Sequence, residues 1–148
     1  MTGHNSITIA IADDDEDDRL LIEDAFQDSR LDNPRVYAKD GVELLDYLEL
    51  ECHAGGAALP GLILLDLNMP RLDGRAVLER LKANPRLRRI PVVVLTTSKA
   101  QEDIFRTYEL GVNSFITKPI TFDDLSDIVR TLTHYWIEIV QLPYAQAA

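Results

Sequence analysis

Five short apolar runs recur along the chain, and residues with helical spacing follow each of them. The runs at 62–65 and 91–95 are almost wholly aliphatic. Such continuous runs are typical of strands in a parallel sheet that helices cover on both faces. Strand and helix alternate five times, which predicts an α/β fold with a doubly wound, five-stranded parallel sheet. The predicted strands are 7–12, 36–38, 62–65, 91–95 and 114–117.

The predicted helices follow the strands, with apolar residues at spacings of three and four. The first begins within an acidic run after the first strand, and the later ones cover about 42–50, 75–82, 101–110 and 122–141. The apolar positions of the first two helices are Leu20, Leu21, Ile22, Ala25 and Phe26, and then Val42, Leu44, Leu45, Leu48 and Leu50.

The last predicted helix is longer than the strands against which it would pack. A helix over 122–141 would extend roughly 30 Å, whereas a strand of typical length spans about 17–20 Å. Its end is therefore predicted to project from the domain and to form the interface of a symmetric dimer. The other interpretation is that this end folds back over the core. The predicted interface residues are Trp136, Ile137, Ile139, Val140 and Leu142.

Composition and charge restrict the classes of function. The 148 residues suit one domain over 1–148, with frayed tails at 1–6 and 144–148. A net charge of −10 argues against nucleic-acid binding, which needs a basic surface. There is no apolar run of membrane-spanning length, no signal-peptide pattern, and one cysteine, Cys52, which excludes an internal disulfide. These features predict a cytoplasmic protein that does not enter the membrane.

Ionisable and hydroxyl side chains stand where the predicted strands end. Asp13 and Asp14 follow the first strand, Asp66 the third, Thr96 the fourth and Lys118 the fifth. In open α/β sheets ligands bind at the carboxyl ends of the strands, so these groups are expected to meet. Three converging carboxylates repel one another unless a hard cation such as Mg²⁺ or Mn²⁺ neutralises them. With Asp66 as nucleophile, the set suits a phosphoryl group, whose transfer needs both a metal and a fixed positive charge.

The remaining acids of the run, 15–18, are interpreted as a solvated face at the start of the first helix. Acids are favourable there because a helix N-terminus carries partial positive charge. Each strand-end residue also has an ordinary explanation on its own, as a turn cap, a strand residue or a surface lysine. The functional interpretation depends on their falling together at one edge of one sheet.

Several segments in this order and spacing resemble the receiver domain of a two-component response regulator, over nearly the whole chain. They are Asp13-Asp14, residues 65–70 with Asp73-Gly74, residues 94–97 and residues 115–119. The resemblance implies a (βα)5, flavodoxin-like fold with an extended C-terminal helix. The end of the chain, 136–143, is similar to the tails of stand-alone receivers that serve bacterial phytochromes. It implies a sensor histidine kinase as partner, with a bacteriophytochrome as the candidate, and a homodimer.

The resemblance also implies a role for each site residue. Asp66 would accept a phosphoryl group from a phosphohistidine on the kinase or on a phosphotransfer protein. Thr96 would bind the phosphoryl oxygens, Lys118 would pair with the phosphoaspartate, and Phe115 would occupy the switch position. The implied Mg²⁺ ligands are Asp14, Asp66 and the backbone carbonyl of Asn68, with Asp13 acting through water. A cis peptide bond is implied before Pro119.

Two other functions stay open at this point. The first is a Mg²⁺-dependent phosphatase that works through an aspartyl-phosphate. Such enzymes commonly need an acid two residues after the nucleophile, where this chain has Asn68. The second is a binding module that is independent of phosphorylation, against which the complete set Asp14, Asp66, Thr96 and Lys118 argues. The expected protein is therefore a phosphoacceptor and not an enzyme that turns over a separate substrate.

Overall fold

The computed structural model describes residues 7–56, 59–97, 101–119 and 121–135. Within these residues strands and helices alternate as predicted from the sequence. The strands are β1 (Ile9–Ala12), β2 (Arg35–Ala38), β3 (Leu62–Leu65), β4 (Val92–Thr96) and β5 (Ser114–Thr117). The helices are α1 (Glu16–Asp28), α2 (Gly41–His53), α3 (Gly74–Ala83), α4 (Gln101–Glu109) and α5 (Phe122–Thr133).

The five strands form one sheet in the order β2-β1-β3-β4-β5, and every neighbouring pair is parallel. Leu65 of β3 is paired with Ala12 of β1 on one side and with Val94 of β4 on the other. Thr96 is paired with Thr117 of β5. The carboxyl ends of four strands therefore meet at one edge, and the predicted doubly wound, flavodoxin-like fold is confirmed.

The core lies on both faces of the sheet. On one face Ile22 and Phe26 of α1 pack with Val129 of α5. On the other face α2 and α3 contribute Leu44 and Val77. Every residue of β3 and β4 is buried, which explains why their sequences lack polar alternation.

Two apolar residues at predicted helical positions are exposed to solvent and not packed in the core. Leu20 on α1 is 56% exposed and Leu50 on α2 is 65% exposed. No helix in the described part of the chain is both long and apolar enough to cross a bilayer. The predicted continuation of the last helix to 141, its interface residues and both tails lie outside the described residues.

A charged cluster joins α1 to β2 at the side of the sheet. Glu23 accepts hydrogen bonds at 2.6 Å from Nε and Nη2 of Arg35 and from the Tyr37 hydroxyl, and at 2.9 Å from Gln27. The Arg35 guanidinium also lies 4.9 Å from the centroid of the Phe26 ring. The hydrogen bonds from Arg35, together with those from Tyr37 and Gln27, lower the pKa of Glu23 from 4.5 to about 2 despite partial burial.

We expect Glu23→Gln to lower the free energy of unfolding by about 1–2 kcal/mol at neutral pH, because charge-assisted hydrogen bonds are lost. A carboxyl group whose pKa is lowered in the folded state stabilises the fold above its unfolded pKa of 4.5. That contribution disappears as the pH falls toward 2, so the difference from wild type should shrink in acid. Urea unfolding over this pH range measures it, with exposed Asp24→Asn on the same helix as control. A difference that does not change with pH would contradict the prediction.

Candidate functional site

Asp66 follows β3 directly and lies at the carboxyl edge of the sheet. Its amide donates to the Ala12 carbonyl at 2.9 Å, which continues the sheet by one residue and fixes the backbone. Its side chain is buried, and Oδ1 accepts hydrogen bonds from the Thr96 hydroxyl at 2.8 Å and from the backbone amide of Asn68 at 3.2 Å. The structure thus places Thr96 against Asp66, as the strand-end argument predicts.

Lys118 reaches the same carboxylate from the end of β5. Its amide donates to the Thr96 carbonyl at 2.7 Å, so its backbone is held beside β4. The ammonium Nζ lies 3.3 Å from Oδ2 of Asp66, 2.5 Å from Oδ2 of Asp13 and 2.7 Å from Oδ2 of Asp18. The two oxygens of Asp66 are therefore distinguished, since one faces a hydroxyl and the other faces an ammonium group.

Three carboxylates form a candidate metal centre next to this ion pair. Asp13, Asp14 and Asp66 each offer an oxygen, and these oxygens all lie within 4.8 Å of one another. Asp13 is buried and Asp14 is exposed, so the cluster opens to solvent on one side. Carboxylate oxygens are ligands for hard divalent cations, and a cation would relieve the repulsion between the three groups. The arrangement fits such an ion.

Burial and the lysine shape the electrostatics of the cluster. Burial raises the pKa of Asp13 from 3.8 to about 6, and the hydrogen bond and charge of Lys118 offset only part of that effect. Burial also opposes the charged form of Lys118, but its hydrogen bonds to Asp13 and Asp18 outweigh burial and raise the pKa of Lys118. The lysine is therefore a fixed positive charge at neutral pH.

One site residue was assigned wrongly from the sequence. Asp18 was grouped with a solvated face, yet it forms an ion pair with Lys118 at 2.7 Å. The signal was present in the helix periodicity, because Asp18 precedes the buried Ile22 by one turn and shares its face. Asp15, in contrast, acts locally: it caps α1 by accepting from the amides of Asp17 and Asp18.

Two further positions complete the comparison with the sequence. Asn68 is exposed, and its Nδ2 donates to Oγ1 of Thr96 at 3.4 Å. Phe115 is half-buried on β5, and its amide donates to the Tyr108 hydroxyl of α4 at 3.3 Å. The implied cis bond before Pro119 was wrong: the described residues contain no cis peptide bond. Trans is the more stable form of a bond to proline, by about 0.5–1 kcal/mol.

Comparison with known proteins identifies the class that this fold and site define. Residues 9–130 match the family model described as the response regulator receiver domain. The chain therefore belongs to the response regulator receiver domain family.

Two curated regulatory proteins are similar to this chain over nearly its whole length. Response regulator Rcp1 of Synechocystis sp. is 39% identical over 137 residues, covering 93% of each protein. The probable methanogenesis regulatory protein FilR2 of Methanothrix harundinacea is 41% identical over 137 residues, covering 93% of this chain and 88% of that protein.

Two solved structures extend this similarity. The phosphorylated cyanobacterial phytochrome response regulator RcpA has a TM-score of 0.85 at 42% identity, covering 93% of this chain and 98% of that one. Rcp1 in its Mn²⁺-bound form has a TM-score of 0.84 at 39% identity, covering 93% and 99%. The chain is thus a receiver related to phytochrome response regulators, and its acidic cluster is of a kind that suits a divalent metal.

Proposed function

We propose that this protein is a response regulator that accepts a phosphoryl group on Asp66 from a sensor histidine kinase and then changes its partner binding. The observation that supports this most is the environment of the Asp66 carboxylate. One oxygen accepts from the Thr96 hydroxyl, the other faces Lys118, and Asp13 and Asp14 lie beside it. Phosphoryl transfer needs a nucleophile, a fixed positive charge, a hydroxyl donor and a group of acids that can hold a metal ion, and these residues supply all four.

In the proposed transfer an oxygen of Asp66 forms the new bond to phosphorus while the phosphorus–nitrogen bond of the donor histidine breaks. The metal ligands would be Asp14, Asp66 and the backbone carbonyl of Asn68, with Asp13 acting through water. Bound Mg²⁺ would supply positive charge to the phosphoryl oxygens. Lys118 supplies a second positive charge from the protein itself, and it needs no rearrangement to do so because it already faces Asp66.

The switch would begin at Thr96. Its hydroxyl now donates to Asp66, and a phosphoryl group there would offer it a new acceptor. Movement of Thr96 would then change the packing around Phe115. Phe115 lies on the neighbouring strand β5, where it is paired with Val94, two residues before Thr96. This would alter the surface formed by β5 and α4, where partner binding is proposed to change.

A bacteriophytochrome is the proposed kinase, because the chain is similar to RcpA and Rcp1. A phosphotransfer protein is a second proposed partner. We further propose a homodimer through Trp136, Ile137, Ile139, Val140 and Leu142, from their apolar sequence pattern. A cytoplasmic location remains part of the proposal.

The phosphatase alternative is disfavoured by Asn68. An enzyme of that type needs a group that protonates the leaving oxygen. The Asn68 side chain is an amide instead of an acid, and its Nδ2 already donates to Oγ1 of Thr96. The phosphorylation-independent binding module is disfavoured because Thr96, Lys118, Asp13 and Asp14 are all in place around Asp66.

The test is the intact mass of the wild-type protein after incubation with acetyl phosphate. We expect one added phosphoryl group in Mg²⁺ and none after chelation with EDTA, because the acids repel the incoming anion without a cation. No turnover of small phosphomonoesters is expected under the same conditions. Absence of an adduct in Mg²⁺, confirmed by failure to bind beryllofluoride, would refute the proposed function, and phosphomonoester turnover would favour the phosphatase.

A further inference from the structure

An ion pair joins buried Asp40, at the start of α2, to Arg71, whose side chain is 56% exposed, in the loop that follows Asp66. Asp40 is 3% exposed and stands directly before α2. Its carboxylate accepts hydrogen bonds from Arg71, at 2.9 Å between Nε and Oδ2 and at 3.0 Å between Nη2 and Oδ1. Oδ1 also caps the helix by accepting from the amide of Glu43 at 2.8 Å. Both oxygens of Asp40 are thus used, and one of them serves two elements.

The backbone on each side of this pair is closely fitted. Arg71 has a φ of 65°, in the left-handed region that a residue with a side chain adopts only when its surroundings hold it there. A Cβ atom added to Gly41 would lie 2.2 Å from the Leu72 carbonyl oxygen, so no larger residue fits beside Asp40. Helix α2 and the loop are therefore in contact in two ways: through the side chains of Asp40 and Arg71, and through the close approach of Gly41 to the backbone of Leu72.

The loop held in this way carries the chemistry of the site. It connects Asp66 to Asp73, the N-cap of α3, and includes Asn68, whose amide donates to Asp66 at 3.2 Å. Its far end is tied back to its beginning, since the Gly74 amide donates to the Leu67 carbonyl at 2.9 Å. Between these two hydrogen bonds, the contact of Arg71 with Asp40 fixes the path of the loop.

We propose that Asp40 and Arg71 form a positioning pair that holds the loop after Asp66 in the path required for binding a divalent cation. The pair does not touch the cation; it acts through the backbone that places Asn68 beside Asp66. This role rests on the proposed function, because it assumes that the Asn68 carbonyl and the Asp66 carboxylate are ligands. It gives α2, which contributes no site residue, a defined part in the chemistry.

Arg71→Gln separates this role from a simple effect of charge. Removing a positive charge near an acidic cluster would strengthen the binding of a divalent cation if only Coulomb attraction mattered. Loss of the positioning contact would weaken it. We expect about 10-fold weaker binding of Mn²⁺, at the lower end of the effect of losing a residue that supports a metal ligand. Arg71→Lys keeps the charge but not the two-pronged hydrogen bonding, and it should also weaken binding.

Isothermal titration of the 148-residue chain with Mn²⁺ alone measures the affinity for the cation. Asp40→Asn serves as the second variant, because asparagine still caps α2 while the ion pair is lost. With the double variant it completes a cycle in which the two effects should be non-additive. Arg75→Gln, which also removes an arginine charge, from the first turn of α3, is the matched control and should bind Mn²⁺ no more weakly than wild type does.

A second readout needs no metal. In the metal-free protein, the Leu72 and Gly74 amides should exchange hydrogen faster in Arg71→Gln than in wild type, while amides of β1 should not. Equal or tighter Mn²⁺ binding by Arg71→Gln, with unchanged exchange in the loop, would overturn the positioning role and leave the proposed function intact. Failure of the wild type to bind Mn²⁺ would overturn both.

Discussion

Asp66→Asn is expected to abolish phosphoryl acceptance while leaving the fold in place. An amide oxygen is a far weaker nucleophile than a carboxylate, so the reaction with acetyl phosphate or a phosphohistidine loses the atom that forms the new bond. No other described carboxylate has the same surroundings, since Thr96 donates to Asp66 and Lys118 faces its second oxygen. The expected result is no added phosphoryl mass on Asp66→Asn under conditions that modify the wild type.

The stability of Asp66→Asn should differ from wild type by no more than about 1 kcal/mol. The asparagine oxygen still accepts from Thr96 and from the Asn68 amide, so neither donor is left without a partner. The variant loses the 3.3 Å contact with Lys118, but it also loses repulsion from Asp13 and Asp14. These two effects oppose each other. Urea unfolding followed by circular dichroism measures the outcome.

Asp73→Asn is the matched control for this experiment. Asp73 follows the same strand seven residues later and caps α3 by accepting from the Ala76 amide. Asparagine caps equally well, so the fold and the phosphoryl acceptance of Asp73→Asn should both persist. A phosphoryl adduct on Asp66→Asn of the same size as on wild type would contradict the assignment, and peptide mapping would then locate the residue that carries it.

The strand-end residues could be predicted from sequence because of a property of parallel sheets. Continuous aliphatic runs identify β3 and β4 without alternation, and the residues that follow parallel strands must meet at one edge. Asp13, Asp66, Thr96 and Lys118 were found in this way although up to 105 positions separate them along the chain. Only the order and type of the elements were needed.

Contacts that depend on loop paths could not be predicted in the same way. Asp40 and Arg71 are 31 positions apart, and their contact requires a left-handed residue inside a loop, which no periodic pattern encodes. Asp18 is a different case: its spacing from Ile22 puts both residues on the same face of α1, but the strand-end argument did not use that spacing. The apolar residues from 136 onward stay a prediction, because their pattern fits both a projecting helix and one that covers the core.

Lys118→Met is expected to destabilise the metal-free protein by about 3 kcal/mol. The Lys118 ammonium contacts Asp13, Asp18 and Asp66, and both Asp13 and Asp66 are buried. Removing one partner of a buried ion pair is costly because it leaves the other charge without compensation in a medium of low polarity. Methionine fills a similar volume, so the loss reflects charge more than packing.

Addition of Mg²⁺ should recover part of this stability. A divalent cation among Asp13, Asp14 and Asp66 supplies the positive charge that Lys118→Met lacks, so the difference from wild type in urea unfolding should be smaller in Mg²⁺ than in EDTA. Lys118→Arg keeps the charge and should lose less stability than Lys118→Met. Arg130→Met, which removes an exposed cation paired with Asp127 on α5, should change stability by about 1 kcal/mol or less in either condition. If Lys118→Met is as stable as wild type in EDTA, or if Mg²⁺ leaves the difference unchanged, the lysine does not neutralise the buried acids as the structure indicates.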